Sequence, residues 1–235
     1  MHLFYTPDIV STSNHYVLNE EESKHAIKVL RLTQNAEIQL TDGVGGWYTC
    51  VIEEPDSKKC RLLIKNYEAE YRKPIYNLHL AIAPTKNIDR MEWLLEKATE
   101  IGIHQFTPII SSRSERKEVK LERLEKIAIS AMKQSFSAYK PIVNPVIRLN
   151  DFLNKHKDSN LFIAHCLDGD KKYLNKIYLE KQDCIILIGP EGDFTDLEIE
   201  SAKKLGSKEV TFGNQRLRTE TAGLMAVVEI NLLNR

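Results

Sequence analysis

Apolar residues recur along this 235-residue chain with two different periods, and the change between them divides it. In the first seventy residues the period is mostly two. EIQLTD (37–42) and WYTCVIEE (47–54) alternate on either side of GVGG, which predicts a β-hairpin turning at Asp42-Gly43. KCRLLIKNYEAE (59–70) predicts another strand. EESKHAIKVLRL (21–32) differs: Ala26, Ile27, Val29 and Leu30 lie among Lys24, His25, Lys28 and Arg31, the pattern of a short amphipathic helix with a basic face. Such a face suits solvent or an anionic partner equally well.

At EYRKPIYN (70–77) charge and Pro74 interrupt the pattern, placing a boundary that gives units of 1–72 and 73–235. Beyond it strands and helices alternate. YNLHLAIA (76–83) has period two, and NIDRMEWLLEKATEIG (87–102) spaces Met91, Leu94, Leu95, Ala98 and Ile101 as a helix does. Further strands are predicted at 104–110, 161–166, 184–188 and 209–212, and helices at 121–134, from about Thr195 to Leu205, and at 219–233. This alternation implies an α/β fold with a mainly parallel sheet covered on both faces, in which ligands sit beyond the carboxyl ends of the strands.

Composition narrows the function. No apolar run approaches the roughly 20 residues that span a bilayer, and MHLFYTPDIV lacks a basic region followed by a greasy one, so a cytoplasmic protein without membrane contact is expected. Cysteines 50, 60, 166 and 184 have no C-x-x-C spacing and no clustered histidines, so they read as buried free thiols, and no metal is expected. Lys+Arg and Asp+Glu are both 33, so any nucleic-acid contact must come from local patches.

Two loops carry the candidate chemistry. In IGPEGDF (188–194) an apolar strand opens into two glycines that keep bulky side chains away from a flat ligand. The loop has neither the G-x-x-x-x-G-K-[ST] nor the G-x-G-x-x-G of phosphate sites. Taken alone, it could be a structural turn. FGNQRLRTETAGLMAVVEI (212–230) repeats the arrangement, with Gly213, Gln215, Arg216, Arg218, Thr219, Glu220 and Thr221 before a helix so apolar that nearly every face must be covered. Arg218 and Glu220 could form a structural ion pair, but two glycine-opened loops on consecutive strands look like one site.

Together LIGPEGDFTDLEIE and FGNQRLRTETA resemble the signature of the ribosomal RNA small subunit methyltransferase E family of the SPOUT superfamily. KHAIKVLRL, LTDGVGGWY and MEWLLEKATEIGIHQFTPIISSRSE extend the resemblance over essentially the whole chain. It implies a PUA-like β-barrel for RNA contact, then a SPOUT-type α/β domain tied into a carboxy-terminal trefoil knot, a rarity that periodicity does not signal. It further implies a homodimer that binds S-adenosylmethionine and methylates N3 of one uridine in 16S ribosomal RNA within the assembled small subunit. By this resemblance Leu187, Ile188, Gly189, Pro190, Gly192, Gly213, Leu217, Arg218 and Thr219 line the cofactor; the candidate catalytic residues are Arg218, to stabilise negative charge on the base, and Glu220, to accept the N3 proton or to orient Arg218. The chain departs from the family's usual glycine at Asp193, arginine at Gln215 and aliphatic residue at Arg216.

Uracil N3 is protonated and paired in duplexes, so the target must be unpaired or extruded. Lys24, His25, Lys28 and Arg31, with Lys86, Arg113 and Arg116, are the candidate RNA contacts; Lys86 could equally be a solvated helix start. Two rival readings are a noncatalytic ribosome assembly factor that keeps the fold, and a nucleotide-dependent enzyme with an unknotted sheet.

Overall fold

A computed structural model describes residues 2–235. The chain forms two compact units: the chain up to Lys73 together with Met132–Lys140, and Pro74–Ala131 together with Pro141–Arg235. No periodicity marks the return of 132–140 to the first unit.

The first unit contains β1 (Leu3–Tyr5), β2 (His15–Val17), α1 (Glu20–Lys24), β3 (Glu37–Thr41), β4 (Trp47–Glu54) and β5 (Arg61–Glu68). They form a five-stranded sheet in the order β1-β3-β4-β5-β2, in which only the β1–β3 pair is parallel. The predicted hairpin is present. Asp42 makes its turn by accepting from the amides of Val44 and Gly46 through one carboxylate oxygen, both at 2.8 Å. Inward residues of β3 and β4 (Ile38, Leu40, Tyr48, Cys50 and Ile52) form the core with Phe4, Ala26 and Leu62. The predicted basic helix is shorter than its pattern: after α1 the chain passes into a π-helical turn at His25–Val29, closed by the amide of Leu30 on the carbonyl of His25.

The second unit continues with β6 (Leu78–Ile82), α2 (Ile88–Ile101), β7 (Gln105–Ile110), α3 (Leu121–Gln134, whose end belongs to the first unit), β8 (Ile142–Val143), β9 (Ile147–Arg148) and α4 (Leu149–Lys155). Then follow β10 (Leu161–Ala164), β11 (Lys172–Tyr173), α5 (Leu174–Ile177), β12 (Cys184–Ile188), α6 (Asp196–Lys204), β13 (Lys208–Thr211) and α7 (Thr219–Leu233). The sheet has the order β11-β13-β10-β12-β6-β7-β8, with β9 also pairing β7, and every pairing is parallel. Pro108 is tolerated inside β7 because the outer partner changes there: Gln105 and Phe106 pair with β8, Ile109 and Ile110 with β9.

Side-chain alternation sends each strand's residues to two cores. Leu78, Leu80 and Ile82 of β6, with Cys184, Ile186 and Ile188 of β12, pack on one face with Leu94, Ala128 and Val227. Ala81, Ile185 and Leu187 face the other side with Phe152, Phe194 and Ile199. The sheet is therefore covered on both faces, as the alternating pattern predicts. The helix after Arg218 is not covered all round, since Met225 and Leu232 remain exposed. Cys166 is likewise exposed, against the expectation of a buried thiol, because β10 ends two residues before it.

Helix α7 lies against β6 and α2 at Gly223, where an added Cβ would stand 2.9 Å from both Ile82 Cδ1 and Leu94 Cδ2. Gly223→Val should therefore overpack the core at a cost of about 1–3 kcal/mol. At this chain length that lowers the thermal midpoint by roughly 3–10 °C, measurable by calorimetry.

Candidate active site at the carboxyl edge of the sheet

Parallel pairing delivers the carboxyl ends of β7, β6, β12, β10 and β13 to one edge, in that spatial order. Strands β12 and β13 are consecutive neither in the sheet nor in contact, because β10 lies between them. With strands about 4.8 Å apart, their loops emerge about 10 Å apart, a gap that a folded nucleoside can bridge.

IGPEGDF is held from both sides. Glu191 accepts the Lys86 amide of the loop after β6 at 2.9 Å, and Asp193 accepts the Cys166 amide of the loop after β10 at 2.7 Å. Arg113, from the loop after β7, donates to the carbonyls of Gly192 at 3.0 Å and Phe194 at 3.4 Å. Gly189 has no room for a side chain, since a Cβ would meet the amide and ring of Phe194 at 3.2 Å. Phe194 is itself fully buried and anchors the loop to the core.

Helix α6 begins with a capping box. Thr195 and Glu198 exchange hydrogen bonds, and Glu198 also accepts from the amide and hydroxyl of Ser112 at 2.7 and 3.0 Å. Burial raises the affinity of this carboxyl for its proton, but the hydrogen bonds from Thr195 and Ser112 outweigh it and hold the group below its usual range.

Of the predicted cofactor residues, Leu187, Ile188, Gly189, Pro190 and Thr219 are buried, Leu217 is partly buried, and Gly192 and Arg218 are exposed. Gly213 takes φ +139° with open space where a Cβ would stand. Arg218 precedes the first turn of α7, and among the described residues its side chain makes no hydrogen bond or ion pair. Glu220 is 8% exposed; its Oε1 lies 3.7 Å from Arg90 Nε, and its buried Oε2 has no partner. The Arg218–Glu220 ion pair weighed from sequence is therefore not made. Arg90, at the start of α2, is the partner instead, and no motif pointed to it.

The candidate RNA contacts fall into two groups. Lys24, Lys28 and Arg31 of the first unit are exposed and, among the described residues, unpaired, while His25 lies 3.7 Å from Glu22. In the second unit Arg116 donates to the carbonyls of Thr85 and Lys86 at 3.2 and 3.0 Å, and Lys86 pairs with Glu115 at 2.9 Å. With Arg113 on Gly192, these three brace the loops of the edge. Lys86, Glu115, Arg116, Lys117 and Glu118 line a cavity of about 450 Å³.

Residues 72–231 match the model of an RNA methyltransferase domain, and residues 18–65 that of an RNA methyltransferase PUA domain. An RNA methyltransferase is thus the class that this α/β sheet and its companion unit define. Ribosomal RNA small subunit methyltransferase E of Aquifex aeolicus is 30% identical over 98% of each chain. A probable rRNA-methyltransferase from Porphyromonas gingivalis superposes with TM-score 0.91 at 42% identity, covering 100% of this chain and 98% of that one. Ribosomal RNA small subunit methyltransferase E from Neisseria gonorrhoeae, solved bound to S-adenosyl methionine, superposes with TM-score 0.89 at 29% identity and the same coverage. The chain belongs to the ribosomal RNA small subunit methyltransferase E family.

The Glu198 network gives a pH-dependent prediction. Because its folded-state carboxyl is more acidic than its unfolded one, its contribution is fully present above about pH 4.5 and is lost as pH falls through the lower folded value. Glu198→Gln should cost on the order of 1–3 kcal/mol at neutral pH. Urea unfolding at a series of pH values should show that difference shrinking in acid.

Proposed function

We propose that this chain transfers a methyl group from S-adenosylmethionine to N3 of one uridine in 16S ribosomal RNA of the assembled small subunit, acting as a cytoplasmic homodimer. The observation that carries the reading is the mouth of α7, with an unpaired Arg218 beside a buried Glu220 whose Oε2 lacks a partner, at the same sheet edge as the glycine loop. A buried carboxylate oxygen without a partner is costly in a folded protein and points to a ligand donor that completes it. The cofactor fits this edge: Leu187 to Pro190 present an apolar wall and backbone groups, Gly213 leaves open space, and neither phosphate-loop fingerprint is present.

S-adenosylmethionine, when bound, supplies a methyl group already activated on a sulfonium, so the protein's work is alignment and exclusion of water. The strand-end residues of β12 and the loop before α7 bind and orient it. Uracil N3 carries a proton at neutral pH and is a poor nucleophile. Glu220 Oε2 takes that proton, and Arg218 stabilises the negative charge that spreads to the uracil oxygens. Arg90 holds the other Glu220 oxygen and keeps the carboxylate in place.

The division of labour follows the chain, 1–72 for RNA and 73–235 for catalysis, apart from 132–140, which pack with the first unit. Lys24, Lys28 and Arg31 contact phosphates through side chains that nothing else occupies, and His25 joins them. Lys86, Arg113 and Arg116 do so with donors they share with the loops. Exposed Met225 and Leu232, two turns apart on α7, and exposed Trp93 on α2 support a second copy as partner. The trefoil knot belongs to the same reading, supported by β12 lying between β6 and β10 rather than beside β13.

Incubation with labelled S-adenosylmethionine and small subunits lacking the modification, followed by mass spectrometry of the RNA, should place the label on N3 of a single uridine; a labelled purine, or no label, refutes the reading. Arg218→Ala should lower turnover on the order of 100-fold or more while calorimetric affinity for S-adenosylmethionine stays within a few fold. Joint loss of binding and turnover would refute its catalytic role.

Neutralising Lys24, Lys28 and Arg31 together should flatten the slope of log affinity for the RNA against log salt by roughly 2–3, as three lost phosphate contacts require. Filter binding over a salt series measures it.

A further inference from the structure

The Asp193 backbone lies in the left-handed region at φ +63°, which a side chain occupies at some cost unless something holds it there. Two hydrogen bonds do. One carboxylate oxygen accepts its neighbour Phe194's amide at 2.8 Å, and the other accepts the Cys166 amide at 2.7 Å. The Asp193 amide meanwhile donates to the Pro190 carbonyl at 2.9 Å, closing the turn. The carboxylate thus fixes the turn's shape locally and ties the loop after β12 to the loop after β10, the strand that separates β12 from β13.

The link matters because β10 lies between β12 and β13, so the loop after it stands in the interval between the two glycine-opened loops. Without the Asp193 bridge the loop after β12 would keep Glu191 and Arg113 on one flank and nothing on the other.

We infer that Asp193 is a positioning residue, whose carboxylate joins the loops after β12 and β10 and so presets the wall against which the cofactor binds. The inference rests on the cofactor reading given above. Asp193 touches no reacting atom. Its effect falls on the affinity for S-adenosylmethionine, because an untied loop must be ordered at the moment of binding, whereas the bound complex is restored and turns over normally.

Asp193→Gly is the cleanest variant, since glycine accepts φ +63° without strain and removes only the carboxylate. Asp193→Asn keeps one acceptor and tolerates the same backbone. Calorimetry with S-adenosylmethionine, steady-state kinetics on small subunits, and amide hydrogen exchange should be measured for both and for the native chain. For Asp193→Gly the expected result is a dissociation constant raised about tenfold, a kcat at saturating cofactor within threefold, and faster exchange at the Cys166 amide, with Asp193→Asn between it and the native protein. An affinity within twofold of native, unchanged exchange at Cys166, or a kcat loss without an affinity loss overturns the inference while leaving the cofactor reading intact. Failure of the native chain to bind S-adenosylmethionine overturns both.

Discussion

A parallel sheet sends the carboxyl ends of its strands to one edge, and there the backbone must leave the ladder with its polar groups still in need of partners. In the second unit five successive loops face this demand side by side. The loops after β7, β6, β12 and β10 meet it by bonding to each other. Glu191 caps the amide of Lys86, Asp193 that of Cys166 and Glu198 that of Ser112, while Arg113 and Arg116 cover carbonyls of the loops after β12 and β6. Bonds to charged groups are the stronger kind, and each joins loops from different strands. The edge therefore behaves as one surface, which is what a small ligand spanning several loops requires.

Strands and helices of the second unit were legible because burial on two faces writes a strong pattern. CIILI could only be a strand with both sides covered, and its five residues divide between two cores. The return of 132–140 to the first unit was illegible for a physical reason: single side chains hold it without any period, Ala138 against Leu3 and Trp47 and Lys133 on Glu22, and the rest is backbone, as in the Lys140 amide on the Gly43 carbonyl and the Gly45 amide on the Ala138 carbonyl. Such bonds leave no mark on residue type. The π-helical turn at His25–Val29 was hidden likewise, since its apolar positions still satisfy the spacing of an ordinary helix.

At the site, glycines pointed to the right loops, yet the reasons differ from one to the next. Gly213 leaves space open, whereas Gly189 exists because Phe194 fills the space behind it. Sequence could name both but could not separate them. Arg90 was missed because its helix carries several charged residues among the core positions and nothing in the sequence separates this one from the rest; only the folded chain sets it near Glu220.

Charge shows the same separation between what composition records and what structure uses. Equal numbers of acids and bases suggest no field, and in the second unit Arg113 and Arg116 are occupied by carbonyls of neighbouring loops while Lys86 pairs with Glu115. The balance is local, however. In the first unit Lys24, Lys28 and Arg31 follow the acidic turn Glu20–Glu22 along the chain, with no carboxylate paired to them. Lys133 takes up Glu22 at 2.6 Å. A chain of zero net charge can thus leave one unit's cations unpaired among the described residues while another unit's arginines hold its loops together. The sign of the total has no bearing on which of the two a given arginine does; the availability of carbonyl oxygens around it decides that.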